Sequence, residues 1–311
     1  MVNDDFSDLA AGADAPGGPG TRSGFIALAG RPNVGKSTLT NALVGRKVAI
    51  VSDKPQTTRR AIRGVATGEG AQLVLVDLPG VQRPRDALTA RMQARVEREV
   101  AEDDGVLFVL NGEEGIGPGD RWIASVLQKL SVPVVIAVNK VDRLDRTRTV
   151  EVLSEAAELG VGDDIFPISA RTAKGVGPLL EHLRALLPEG PFFYPEESGT
   201  DQTQEVLLAE LIREQILRRT FQEVPHSVEV VVEDIEERDD DTIVRARAWT
   251  ETDSQKGILI GKGGAMIRTI GTASRHALQQ ELGTKVHLDL RVDVRRKWRA
   301  DERMLDRLGI D

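Results

Sequence analysis

One segment constrains this chain more than any other: Gly30-Arg31-Pro32-Asn33-Val34-Gly35-Lys36-Ser37. It fits the pattern of a glycine, four residues and then Gly-Lys-Ser/Thr. The apolar residues 25–29 before it read as a buried strand, and residues 38–43 after it read as the start of a helix. A chain with this unit must pass from strand through a tight loop into a helix. Backbone N–H groups of such a loop point inward at a helix N-terminus, where the dipole favours negative charge. Lys36 is placed to reach β- and γ-phosphates, the Ser37 hydroxyl to bind magnesium, and Thr38 to open the helix beside them.

A second apolar strand, residues 132–138, runs into Asn139-Lys140-Val141-Asp142. A carboxylate there accepts two hydrogen bonds from the N1–H and 2-amino group of guanine. Adenine lacks both donors and would leave the carboxylate unpaired, so the pattern selects GTP over ATP. The stem of Lys140 can lie against the base while its charge stays wet. Residues 165–168 lead to Ser169-Ala170-Arg171, whose backbone N–H groups can meet the guanine O6.

A third strand, residues 73–76, ends in Asp77-Leu78-Pro79-Gly80 and then Val81. Asp77 suits a magnesium-bound water and the Gly80 N–H suits the γ-phosphate, so hydrolysis would release the segment that follows. Between the phosphate loop and Asp77 lie Gln56, Thr57, Thr58, Arg59 and Arg60. A threonine here fits a γ-phosphate and magnesium sensor, with Thr58 favoured over Thr57. Strands alternating with helices, at residues 87–101, 120–130, 149–159 and 176–187, argue a mostly parallel sheet covered on both faces. The fold class expected is α/β, a P-loop GTPase domain over residues 24–188. Ligands in such sheets sit beyond the carboxyl ends of the strands, where all these segments fall.

Residues 189–203, rich in proline, read as an extended linker. Beyond them residues 204–219 form an amphipathic helix. Residues 227–235 and 242–250 form two strands joined by an acidic turn, and a helix–loop–helix, a strand over 285–292 and a last helix after Lys297 follow. The loop is Gly261-Lys262-Gly263-Gly264, a KH signature that clamps the backbone of single-stranded nucleotides. The element order is that of an α+β type II KH domain, expected over residues 204–311. Ile260, Ile267 and Arg268 join the loop as candidate RNA-binding residues. Ile258, Leu259, Ile260 and Ile267 either line a groove for bases or fill the core.

The chain has 311 residues and a formal net charge of −8. The opposing charge is local: residues 255–299 hold ten Lys/Arg against three Asp/Glu, an excess of seven. There is no cysteine, which fits a reducing compartment and excludes disulfides and thiolate metal sites. No apolar run approaches the ~18 residues of a membrane span. Residues 1–23 lack the pattern of a signal peptide and read as a disordered tail. A cytoplasmic monomer is expected.

Taken together, Gly30–Ser37, residues 55–60, Asp77–Gly80, Asn139–Asp142 and the glycine loop after Ile260 resemble those of the Era family, translation-factor-like GTPases with a C-terminal KH domain. The closing stretch, residues 298–303, is similar too. The resemblance implies a ribosome-assembly factor that binds the 3′ end of small-subunit ribosomal RNA, acts on the pre-ribosomal small subunit, and associates loosely with the inner face of the cell membrane. It implies a slow GTPase helped by a partner or by potassium. Val81, an apolar residue, cannot orient the attacking water as a glutamine would. Asn33 matches the position of a potassium-linked asparagine in related GTPases, and its other reading is as a holder of loop shape. Leu78 departs from the family, which more often has threonine there. A second functional class competes with the GTP switch: a structural RNA-binding module whose nucleotide domain supplies stability.

Overall fold

The computed structural model describes residues 18, 20–54, 57–80, 88, 102–221 and 224–310. The expected helix over residues 87–101 lies outside them save for Leu88, as do Gln56 and Val81. In the N-terminal half the strands are β1 (Arg22–Ala29), β2 (Ile62–Gly68), β3 (Ala71–Asp77), β4 (Gly105–Asn111), β5 (Val134–Asn139) and β6 (Ile165–Pro167). They form one sheet in the order β2-β3-β1-β4-β5-β6, in which only β2 runs antiparallel. Edge strand β2 is joined to β3 by Glu69 and Gly70, both at positive φ, as a two-residue hairpin turn requires.

Alternate residues of the central strands feed two cores, because successive side chains point to opposite faces. Ile26, Leu28, Leu107 and Val109 pack beneath α1 (Lys36–Val44) and α4 (Val176–Leu186). Ala27, Ala29, Phe108 and Ile136 pack beneath α2 (Pro118–Leu127) and α3 (Arg146–Ala157). Burial on both faces is why these strands read as unbroken apolar runs.

Residues 189–203 are extended but fastened. Buried Gln72 accepts the N–H groups of Phe193 and Tyr194 at 2.8 and 2.9 Å and donates to the Tyr194 carbonyl at 2.8 Å. The Val65 N–H donates to Gly199, and the Phe25 and Phe193 rings lie 4.8 Å apart.

The C-terminal half runs α5 (Gln204–Arg219), α6 (Val224–Ser227), β7 (Glu229–Glu237), β8 (Asp241–Thr250), α7 (Asp253–Ile260), α8 (Ala265–Leu282), β9 (Lys285–Val294) and α9 (Glu302–Arg307). Its sheet has the order β7-β8-β9, with β7 antiparallel and β9 parallel to β8. Leu208, Ile212 and Ile216 of α5 pack with Val230, Val244, Ile270 and Leu278. This is the α+β KH arrangement read from the sequence. The single helix expected after Lys297 is instead a short turn, Trp298–Ala300, followed by α9. Asp301 separates them because its carboxylate caps α9, accepting from Arg303 and Met304 at 3.1 and 3.3 Å.

The two halves share their packing. Ile50, from the loop after α1, lies inside the C-terminal core. Leu88 packs with Trp298, Leu305, Leu308 and Ile310.

Candidate functional site

The phosphate loop sits where β1 ends and α1 begins. Gly35 has φ 103°, and a Cβ there would come 2.3 Å from the Asn139 amide nitrogen, so only glycine fits. Asn139 is the hub of the site. Its Nδ2 donates to the Val34 carbonyl at 2.9 Å, and its Oδ1 accepts from Lys140 N at 2.8 Å and Ala170 N at 2.9 Å. One side chain thereby joins the phosphate loop to both segments read as guanine-binding. Lys140 strengthens the joint: its Nζ reaches the Asn33 carbonyl at 2.9 Å.

Asp142 stands ready beside them. Its Oδ2 pairs with Arg171 Nη2 at 3.0 Å. The Ser169 hydroxyl, with Arg171 and Arg143 behind it, holds the Asp142 carboxyl below the usual carboxylate range. A carboxylate kept ionised is the form that accepts two N–H donors from guanine.

At the phosphate end, Lys36 is buried and its Nζ donates to the carbonyls of Gly30 and Arg31 at 2.9 and 3.1 Å. Burial lowers its pKa to about 8, against the opposing pull of Asp77. Asp77 ends β3 fully buried, and burial raises its pKa to about 6 although Ser37 and Lys36 pull the other way. Neither Asp77 oxygen has a partner with hydrogen-bonding geometry among the described residues. The Ser37 and Thr58 hydroxyls are 3.0 Å apart. Two hydroxyls beside an unpaired carboxylate form a set of hard oxygen donors, which fits Mg2+.

Pro32, Gly35, Lys36, Ser37, Thr58 and Gly80 line a common cavity, and Thr38 and Thr57 also border it. Leu78 is fully buried and packs in the core under α2 and α3. Pro79 is buried too. Arg31 turns away from the cavity, and its Nε meets buried Asp120 of α2 at 2.8 Å. Asn33 holds φ 64°, and its Nδ2 donates to the Asp53 carbonyl at 2.9 Å.

Arg59 and Arg60 leave the cavity for the C-terminal half. Arg59 is buried against Glu229 and the carbonyls of Val228, Pro225 and His226. Arg60 reaches Glu210 at 3.0 Å, Glu229 at 3.3 Å and the Leu308 carbonyl. Glu210 and Glu229, which meet these arginines, and Arg213 and Glu214, which meet Thr57, Val51 and Lys47, carry no signal in the sequence. Charged residues on an amphipathic helix read as its solvated side, yet every residue from Leu208 to Leu217 is buried.

The glycine loop lies between α7 and α8. Gly261, Gly263 and Gly264 have φ of 72°, 58° and 75°. Lys262 and Arg268 are exposed, while Ile260 and Ile267 are half-buried against the C-terminal core. Leu259 is core, while Ile258 is 48% exposed.

Comparison with known proteins agrees with both halves. The family model for a 50S ribosome-binding GTPase matches residues 25–140, and that for a KH domain matches residues 223–299. GTPase Era of Mycolicibacterium paratuberculosis is 48% identical over 295 residues, covering 93% of this chain and 98% of that protein. GTPase Era of Mycobacterium tuberculosis is 47% identical over 294 residues, covering 92% and 98%. A crystal structure of Era in complex with MgGDPNP and nucleotides 1506–1542 of 16S ribosomal RNA superposes with a TM-score of 0.89. It shares 32% identity, covering 93% of this chain and 99% of that one. A variant of Aquifex aeolicus Era bound to GDP and aluminium fluoride matches with the same TM-score, identity and coverage. With the nucleotide motifs at one end of a mostly parallel sheet and the glycine loop in a C-terminal KH domain, the chain belongs to the Era family of GTPases.

Proposed function

We propose that this GTPase is a switch whose C-terminal domain binds the 3′ end of small-subunit ribosomal RNA during assembly of that subunit. One observation carries the reading: the phosphate loop, the Ser37–Thr58 hydroxyl pair, unpartnered Asp77 and the Asn139–Asp142 segment converge at one end of the sheet. The backbone from Gly30 to Ser37 wraps the phosphates, and Lys36 neutralises charge on the β- and γ-phosphates. Gly80 N–H meets the γ-phosphate. Ser37, Thr58 and, through water, Asp77 would hold Mg2+, which supplies positive charge to the phosphate oxygens. Asp142 and the Ser169–Ala170 backbone identify guanine, with Asn139 and Lys140 fixing them to the phosphate loop.

Gln56–Arg60 and the segment from Asp77 to Val81 respond to the γ-phosphate. Apolar Val81 does not orient water, so hydrolysis is slow and awaits a partner or a potassium ion near Asn33. The Gly261–Gly264 loop clamps RNA backbone, with Lys262 and Arg268 supplying charge and Ile260 and Ile267 an apolar edge. The similar Era structure in complex with MgGDPNP and nucleotides 1506–1542 of 16S ribosomal RNA supports RNA binding by the protein. The protein acts as a monomer in the cytoplasm and touches the membrane loosely from its inner face. Among the described residues no helix is long and apolar enough to cross a membrane.

Linkage tests the switch. If GTP favours the RNA-competent arrangement, RNA tightens GTP binding by the same factor. A GTP analogue titrated with and without a single-stranded fragment of the ribosomal RNA 3′ end measures it. Tighter binding with RNA is expected. Equal affinities would replace the switch by the structural-module reading.

A further inference from the structure

Helix α5 belongs to the RNA-binding half, yet its middle turns grip the nucleotide-binding half. Arg213 has no exposed side-chain surface. Its Nε lies 3.0 Å from Glu210 Oε1 and its Nη2 lies 2.6 Å from Glu210 Oε2, a forked pair one turn apart. The same Nη2 donates to the backbone carbonyl of Thr57. Glu214, one residue farther on, accepts the Val51 N–H at 3.0 Å and the Lys47 ammonium at 2.5 Å. Lys47, Val51 and Thr57 are thus all held by one helix.

The Thr57 carbonyl lies in the same planar peptide unit as the N and Cα of Thr58. A buried, forked guanidinium that fixes this carbonyl also fixes the direction in which Thr58 leaves the peptide. Thr58 is buried, with its hydroxyl 3.0 Å from that of Ser37 at the phosphate cavity. We infer that Arg213, oriented by Glu210, is a positioning residue for GTP hydrolysis: it aims the Thr58 hydroxyl at the γ-phosphate and its metal. The inference rests on Thr58 being the γ-phosphate sensor. It makes part of the GTP site the property of the RNA-binding domain. A displacement of that domain that drew Arg213 from Thr57 would switch off the GTP-specific contact and leave the phosphate loop untouched.

An arginine that merely fills the interface acts on GDP and GTP alike. A positioning residue acts on GTP alone, because GDP has no γ-phosphate for Thr58 to meet. The experiment compares full-length wild type, Arg213→Lys, Glu210→Gln, Thr58→Ala and the Arg213→Lys/Thr58→Ala double variant in magnesium buffer. Fluorescent GDP and a nonhydrolysable GTP analogue give two affinities, and turnover gives kcat. For Arg213→Lys and Glu210→Gln, GDP affinity is expected to hold. GTP-analogue affinity and kcat are expected to fall by about tenfold to a hundredfold, the scale of an ångström-sized misplacement. Thr58→Ala should show the same selectivity, and the double variant should be no worse than Thr58→Ala alone.

If Thr58→Ala is GTP-selective while Arg213→Lys and Glu210→Gln weaken both nucleotides equally or neither, the positioning role is overturned and the Thr58 assignment stands. If Thr58→Ala itself leaves the GTP-to-GDP ratio unchanged, the sensor reading fails and takes this inference with it. Should Arg213→Lys not fold, Glu210→Gln decides alone.

Discussion

Arg59 and Glu229 form an ion pair 2.7 Å across in which neither side chain keeps any exposed surface. Arg59 comes from the segment that borders the phosphate cavity, and Glu229 opens the first strand of the RNA-binding half. The pair is surrounded by carbonyls of residues 225, 226 and 228 and by the face of Trp298, 5.3 Å from the guanidinium. Removing one partner of a buried pair leaves the other charge uncompensated, which costs about 3–5 kcal/mol. Glu229→Ala should therefore lower the thermal midpoint by many degrees, measured by calorimetry without nucleotide. A shift no larger than that of a surface substitution would mean the interface does not hold in solution.

The same carboxylate makes stability depend on pH. Burial alone would raise the Glu229 pKa, but Arg60, Arg59 and Arg213 together hold it below the usual glutamate value of 4.5. Between that value and its lowered folded one, the unfolded chain binds a proton that the folded protein does not. Stability from Glu229 is thus present above pH 4.5 and drains away as the pH falls below it. Chemical unfolding of wild type and Glu229→Gln from pH 7 to pH 3 should show their difference shrinking in acid. A constant difference would deny Glu229 its charged state.

Asp77 carries the opposite sign. Its folded pKa of about 6 lies above the ordinary 3.8, so the nucleotide-free protein loses stability as the pH rises through that window. At neutral pH the buried charge costs about 2–3 kcal/mol. Asp77→Asn should stabilise the nucleotide-free protein by up to that amount and abolish magnesium-dependent tightening of GTP binding. A destabilised variant with intact magnesium dependence would remove Asp77 from the metal site.

Asp142→Asn exchanges an acceptor oxygen for a donor at the guanine edge. Without its charged, two-pronged hydrogen bond to the base, GTP affinity should weaken by about 2–4 kcal/mol. Preference should shift toward xanthosine triphosphate, whose 2-oxo group accepts where guanine donates. Calorimetry with the two nucleotides reads the exchange, and an unchanged GTP affinity would be fatal to the assignment.

Lys262→Asp with Gly263→Asp should leave the GTP site intact, since both residues are exposed and far in sequence from the nucleotide motifs. RNA affinity should fall by several kcal/mol, on the order of a thousandfold, as phosphate attraction turns to repulsion. Wild-type binding should favour single strands over duplex and weaken with salt. Fluorescence anisotropy on a single-stranded ribosomal RNA fragment gives the number, and an affinity equal to wild type would move the RNA site elsewhere.

Several features needed no structure. Gly30–Ser37, Asp77–Gly80, Asn139–Asp142 and Gly261–Gly264 are each a short backbone requirement written in adjacent residues, so spacing alone exposes them. The type of fold follows from the apolar strands between them; β2 is the exception, because an edge strand takes its identity from the β3 partner it pairs with. What only the tertiary structure decided are the joints. Asn139 reads as a base-motif residue, and its bond to Val34 spans 105 positions. Glu210, Arg213 and Glu214 read as the wet side of a helix, and Arg59 and Arg60 as part of the segment that senses the γ-phosphate. Their partners lie 150 or more residues away. A local pattern reports which groups are polar. Whether a polar group meets water or a buried opposite charge depends on how the two halves dock, and no window of the sequence contains both sides of that contact.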